Sequence, residues 1–327
     1  MQTIINFLFY SVRAGTPLLL GTTGEIITEK SGSLNLGVEG MMAMGAIFGY
    51  YFSLKSGSII VGLIAAFLAA ALGGLIFAFL TVTMQANQNV TGLALTIFGI
   101  GVYKFFGTAL TTKSAFPQLS ANEHLTKLAQ DNGIPVLRDI PYVGKLLFSY
   151  NIFVYIAVII AVLAFIYIVK TKAGLRMRSV GENPGAADAC GVNVNRTKYL
   201  NIILGAGISG IGGLYMAMII NGGAWNHNWI NGAGWISVAL VIFAKWNPIL
   251  AIAGSFFFGM LQALAPWKGN LADRFSILNW LGAIPDEFYA LLPFLITAIV
   301  LTIASIRKKK DGGQPAYCGV NYFREER

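Results

Sequence analysis

Long apolar runs separated by short polar stretches dominate the pattern of this chain. A helix that crosses a bilayer needs roughly 20 mainly apolar residues. Within the runs the apolar positions are continuous and do not alternate, which argues against a membrane β-barrel. The pattern predicts an all-α polytopic membrane protein with about nine transmembrane helices, at 4–23, 38–54, 58–84, 90–111, 150–169, 198–220, 232–246, 249–266 and 288–306.

Two of these runs are short and are interrupted by glycine. Run 38–54 begins beside Gly37 and Gly40, and run 232–246 follows a stretch rich in Asn, Gly and Trp. Short, glycine-interrupted segments are typical of broken or re-entrant helices, which exist only where protein or water shields the backbone. We therefore expect these two helices to be short or broken.

The amino-acid composition excludes several other classes of protein. Of the 327 residues 56% are hydrophobic and 11% are charged, whereas soluble domains carry about 25% charged residues. A soluble enzyme, a disordered chain and a disulfide-stapled secreted domain are thereby excluded.

The net charge of +9 is explained by topology and implies no nucleic-acid partner. Basic residues cluster in loop 170–198 and at 307–310, which the positive-inside rule places in the cytoplasm. Nine crossings then place the N-terminus outside. We predict one transmembrane domain over residues 1–310, with 170–198 as a cytoplasmic loop, followed by a polar, disordered cytoplasmic tail at 311–327.

Catalytic and cofactor signatures are missing from the sequence. There is no phosphate-binding loop, and His124 and His227 stand far apart with no metal-ligand spacing around them. Residues 205–210 match G-x-G-x-x-G, but they lie inside an apolar run, where small residues at helical spacing favour close helix packing. We expect no enzyme activity, no metal and no bound cofactor, and the chain cannot hydrolyse ATP alone.

Polar residues within or beside the apolar runs are costly and are the better clue to function. Glu39 begins the second run, and either pairs with Arg13 or faces a cavity; the alternative is a plain helix-start position. The polar stretch 85–92 is either a turn or a bend that offers amides to a solute. Our candidates for lining a solute path are Asn35, Glu39, Asn87 and Asn89.

The basic loop contains a short helix signature. Asn183 suits the N-cap, Pro184 suits the first turn, and Gly191 suits the end of the helix. A short helix between glycines, outside the membrane, has the shape to dock into a partner's cleft. The alternative is an ordinary loop. The candidate docking residues are Glu182, Asn183, Pro184, Ala187 and Gly191.

Three stretches resemble a known family. Residues 24–42, 181–194 and 232–248 are similar to permease subunits of ABC importers of the ribose/branched-chain amino-acid class, specifically the nucleoside and simple-sugar branch. The resemblance implies a multi-pass inner-membrane permease with a second permease subunit, cytoplasmic ATPase subunits that hydrolyse the ATP, and an extracytoplasmic substrate-binding lipoprotein. It also implies that helix 182–191 sits in the groove of the ATPase.

A nucleoside is the expected solute, and a simple sugar or riboflavin are alternatives for the same machinery. A self-sufficient secondary transporter is the alternative from another class. It would usually need an intramembrane acidic relay, for which Glu39 is the only candidate in the sequence.

Overall fold

The computed structural model describes residues 2–112, 122–135, 137–140, 143–274, 284–306 and 313–324, which form helices and connecting turns and no strand. Turns of π-helix extend two of the helices, at Phe79–Thr83 and Met216–Ile220. The helices are α1 Gln2–Lys30, α2 Val38–Ser56, α3 Ile59–Ala78, α4 Gln88–Thr112, α5 Glu123–Ala129, α6 Ile152–Lys170, α7 Lys172–Glu182, α8 Pro184–Ala189, α9 Val194–Tyr215, α10 Ala233–Phe243, α11 Pro248–Arg274 and α12 Asp286–Ile306.

A helix occupies each of the nine predicted runs. Within the described residues six are long and apolar enough to cross a membrane, namely α1, α3, α4, α6, α9 and α11. The eleven residues of α10 span only about 16 Å, roughly half of a bilayer core. The class of polytopic helical membrane protein is thus confirmed, while nine crossings stay a prediction.

The first helix is longer than its apolar run, which ends at residue 23. It continues to Lys30 because its polar second half is buried inside the bundle rather than exposed at a membrane surface. The buried polar side chains of this half are Thr22, Thr23, Glu25, Thr28 and Glu29.

Helix α9 forms the centre of the bundle, against α1, α2 and α3. A Cβ atom at Gly205 would overlap the carbonyl oxygen of Gly24, and one at Gly213 would overlap that of Met42. Helix backbones approach this closely only where side chains are absent. The packing interpretation of 205–210 is therefore confirmed.

The two ends of the bundle carry different elements. One end, here called the α8 face, carries α7, α8 and the tail residues 313–324; the other end carries α5 and residues 221–232.

The tail was expected to be disordered, and for 313–324 that expectation is wrong, because this segment is hydrogen-bonded across the α8 face. The basic cluster at 307–310 lies outside the described residues.

Candidate transport and coupling sites

Glu39 fixes the start of α10 to the start of α2. One carboxylate oxygen accepts the backbone N–H of Gly232 at 2.8 Å, and the other accepts that of Gly234 at 2.7 Å. An acidic group at a helix N-terminus satisfies orphan donors and complements the helix dipole. Arg13 instead pairs with Asp131 at 3.0 Å, so the expected alternative of an Arg13–Glu39 pair is wrong.

Asn35 is also a structural residue of the interior. It is buried, its side-chain Oδ1 accepts the Gly37 N–H at 2.8 Å, and its own N–H donates to Glu25 at 3.0 Å. These bonds hold the turn between α1 and α2. The amide group is thereby engaged by its own turn.

The other two predicted path residues lie at the surface of the α8 face. Asn87 and Asn89 are exposed, and the Oδ1 of Asn87 accepts the Val90 N–H at 3.1 Å as α4 begins. The structure thus separates this pair from the buried pair Asn35 and Glu39. Their role in a solute path stays a prediction.

Between these two asparagines lies a residue that the sequence did not single out. Gln88 is buried, and its Oε1 accepts the Leu34 N–H at 2.7 Å, which joins the start of α4 to the α1–α2 turn. The only signal in the sequence is its position in the first turn of a helix, which does not reveal a partner 54 positions away.

A cavity of about 610 Å³ opens between α1, α9, α10, α11 and α12, toward the end of the bundle that carries residues 221–232. Gly232 and Ala233 form part of its wall, so the Glu39 bonds also fix this cavity. Its lining is mostly apolar and includes both aromatic rings and side-chain amides. The principal aromatic and amide lining residues are Tyr10, Asn228, Asn231, Gln262, Tyr289 and Phe294.

Helix α8 has the predicted shape and a clear division between buried and exposed residues. The Oδ1 of Asn183 accepts the Ala186 N–H at 2.9 Å, as an N-cap does, and Gly191 ends the helix with a φ of +82°. Pro184 and Ala187 are buried, so they hold the helix in place and are not free to touch a partner. The exposed residues are Glu182, Asn183, Ala186, Ala189, Cys190 and Gly191.

Residues 7–301 match the family of the branched-chain amino acid transport system permease component, and the chain belongs to this family. It is therefore a membrane permease of the ABC transporter class and not an enzyme. Its partners are those of an ABC system, in which other subunits use the ATP.

Three relatives cover most of the chain. A nucleoside ABC transporter permease of Lactococcus lactis is 32% identical over 338 residues, which cover 100% of this chain and 98% of the relative. A guanosine ABC transporter permease of Bacillus subtilis is 33% identical over 294 residues, 88% of each chain. A putative glucose ABC transporter permease of Haloferax volcanii is 32% identical over 321 residues, 94% of each. No match was found among solved structures.

Proposed function

We propose that this chain is one of two permease subunits of an ATP-driven importer of nucleosides. Two of the three relatives are named as nucleoside or guanosine permeases, at 32% and 33% identity. The proposed assembly has cytoplasmic ATPase subunits on the α8 face and an extracytoplasmic binding lipoprotein at the opposite end. It lies in the cell inner membrane with nine crossings, the N-terminus outside and the C-terminus inside.

The observation in the structure that favours a nucleoside over a simple sugar is the cavity of about 610 Å³. Small-molecule sites are typically about 300–1,000 Å³, mostly apolar, with a few placed polar groups. Phe294 is half-exposed and offers a ring on which a base can stack, and Gln262 offers an amide for hydroxyl or ring-nitrogen groups. A nucleoside has both an aromatic base and a polyhydroxylated sugar, and so suits this mixed lining.

Transport would follow alternating access, with rigid parts rocking around the cavity. The partner ATPase would engage the exposed strip of α8, while Pro184 and Ala187 anchor that helix against its neighbours. Because Glu39 ties α2 to the start of α10, movement of α2 would move the wall of the cavity. The chain itself supplies no catalytic group.

A simple sugar is the second candidate solute, because the Haloferax volcanii relative is a putative glucose permease at 32% identity. A sugar would use the amides of the cavity but has no base to stack on the rings of the cavity. Riboflavin would use both the amides and the rings.

A self-sufficient secondary transporter is set aside, because family membership makes the chain an ABC permease. The carboxylate of Glu39 is also engaged by two backbone N–H groups.

Purification of the tagged chain in mild detergent tests the assembly. We expect a second permease, an ATPase and a lipoprotein to co-purify, and the bound solute of that lipoprotein to be a nucleoside. Recovery of this chain alone, active in liposomes without ATP, would contradict the proposal.

The cavity is tested separately in the purified complex. Gln262→Ala should weaken nucleoside transport, whereas the matched change Gln130→Ala, at an exposed position on the loop after α5, should leave it unchanged. If both variants transport nucleoside equally well, the claim that the cavity lies on the solute path is contradicted.

A further inference from the structure

The tail residues 313–324 form a strap that crosses the α8 face. At its start the Lys30 ammonium donates to the Gly313 carbonyl at 2.5 Å. Further along, the Tyr317 N–H donates to the Gly181 carbonyl at 2.9 Å. The strap therefore joins the end of α1 to the end of α7 before it reaches α8.

Asn321 binds the turn between α3 and α4. Its side-chain Nδ2 donates to the carbonyl of Gln85 at 2.6 Å and to that of Ala86 at 3.2 Å. Its Oδ1 accepts the side-chain N–H of Gln88 at 3.0 Å. A single amide group thus makes two hydrogen bonds to the turn and one to the first residue of α4.

Tyr322 connects the same turn to α8. Its hydroxyl donates to the Asp188 carboxylate at 3.0 Å, and its carbonyl accepts the Gln85 side-chain N–H at 3.1 Å. Arg324 adds an ion pair with Asp188 at 3.2 Å, which is worth little because the guanidinium is exposed. Besides these contacts, a cavity of about 360 Å³, lined by residues that include Gln85, Asp188 and Gly191, lies between α8 and the turn.

The line of contacts continues into the bundle. Gln88, which Asn321 holds on the α8 face, accepts the Leu34 N–H in the α1–α2 turn. The next residue, Asn35, is bonded to Glu25. A displacement of Asp188 therefore has a hydrogen-bonded route across the cavity to the turns that hold α2 and α4.

We propose that the strap couples α8 to the transport helices, by carrying its movement across this cavity to the α3–α4 turn. The inference rests on the proposed function, since an ATPase that acts on α8 provides the movement to be carried. It assigns a role to Asn321 and Tyr322 that the family motifs do not include, because the matched region ends at residue 301.

The chain carries its own reporter of strap docking. It has two cysteines, Cys190 and Cys318. Cys190 is exposed at the end of α8, whereas Cys318 lies partly buried in the strap with its Sγ 4.0 Å from Glu29 Oε2. Burial, together with the Glu29 carboxylate, raises the pKa of the Cys318 thiol. The docked strap should therefore protect this thiol from alkylation.

Docking is tested with Cys190→Ser, which leaves Cys318 as the single thiol. Adding Asn321→Ala should raise the rate of N-ethylmaleimide labelling about tenfold, since three hydrogen bonds are lost. Tyr322→Phe, a milder change that preserves packing, should raise it by a smaller factor. Tyr317→Phe is the matched control, because the Tyr317 side chain is exposed and its bond to Gly181 is a backbone bond. Equal labelling rates in all variants would overturn docking.

Coupling is tested with the complete complex in nanodiscs, by measuring ATP hydrolysis with and without the loaded binding protein. Asn321→Ala and Tyr322→Phe should reduce the stimulated rate and keep the basal rate, and Tyr317→Phe should match the parent. If a variant labels faster at Cys318, and its strap is therefore undocked, but its ATP hydrolysis is stimulated normally, the coupling role of the strap is contradicted and the proposed function is not. A parent complex with no stimulated hydrolysis would overturn the proposed function, and the strap's role with it.

Discussion

The carboxylate of Glu39 accepts the backbone N–H of Gly234 from a distance of 2.7 Å, across 195 positions of sequence. Its second oxygen accepts the N–H of Gly232, so one side chain satisfies two donors at the start of α10. An eleven-residue helix that starts inside a bundle needs such partners. The bond thus allows α10 to begin beside a solute-sized cavity.

Glu39→Gln should destabilise the protein, because the amide can accept only one of the two N–H groups. Its NH2 group would face the other donor, and an unsatisfied buried donor costs about 1–3 kcal/mol. The expected result is a lower thermal midpoint in detergent and slower transport that does not respond to a proton gradient.

Glu287→Gln is the matched control, since Glu287 is exposed in the first turn of α12. Its midpoint should stay at the parent value. An unchanged midpoint in Glu39→Gln as well would contradict the structural role of Glu39.

Gly205→Leu should prevent correct packing of α9 on α1. A Cβ at Gly205 meets the Gly24 carbonyl, whereas a Cβ at Gly101 meets no atom within 4 Å. Overpacking typically costs about 1–3 kcal/mol or more. We expect a low yield of folded Gly205→Leu by size-exclusion chromatography and a normal yield of Gly101→Leu. Equal yields would show that the α1–α9 contact is not needed.

Ala186→Trp should uncouple the permease from its ATPase without unfolding it, because Ala186 lies on the exposed strip of α8. This position tests docking better than Gly191, whose φ of +82° would strain any larger residue. Leu163→Trp, at an exposed position in the middle of α6 and away from the α8 face, is the control. Binding-protein-stimulated ATP hydrolysis should fall in the first variant only, and full stimulation there would remove α8 from the interface.

The alkylation of Cys318 should depend on folding and on pH. The thiolate is the reactive form, and burial raises the pKa of this thiol, so the folded protein should react more slowly than the denatured protein at about pH 8. At low pH the thiol is protonated in both the folded and the unfolded protein. Above about pH 8.5, the pKa of a free thiol, the unfolded protein releases this proton while the folded protein keeps it, so the free energy of unfolding declines as the pH rises. Equal rates in folded and denatured Cys190→Ser protein would contradict the burial.

The features that could be predicted from the sequence are those that depend on nearby residues in the chain. Each apolar run contains a helix, and Asn183 caps α8 as its position before Pro184 indicated. Both features follow from hydrophobicity and from backbone donors within three or four residues. Neither needs a knowledge of the neighbouring helices.

Long-range partners were not visible in the sequence. The Glu39 carboxylate finds its donors on α10, and the amide of Asn321 finds its partners near Gln85. The polar composition of the tail predicted disorder. Composition does not show that hydrogen-bond partners for the tail lie elsewhere in the fold. The same limit explains why Asn87 and Asn89 were preferred to the buried Gln88 between them.

Nucleoside uptake by the source cells, measured with and without the gene for this chain, tests most directly whether the permease carries nucleosides. Deletion should abolish the ATP-dependent uptake of radiolabelled guanosine, and the wild-type gene should restore it, while glucose uptake stays at the parent rate. Unchanged guanosine uptake together with a loss of glucose uptake would contradict the nucleoside assignment and make the chain a sugar permease.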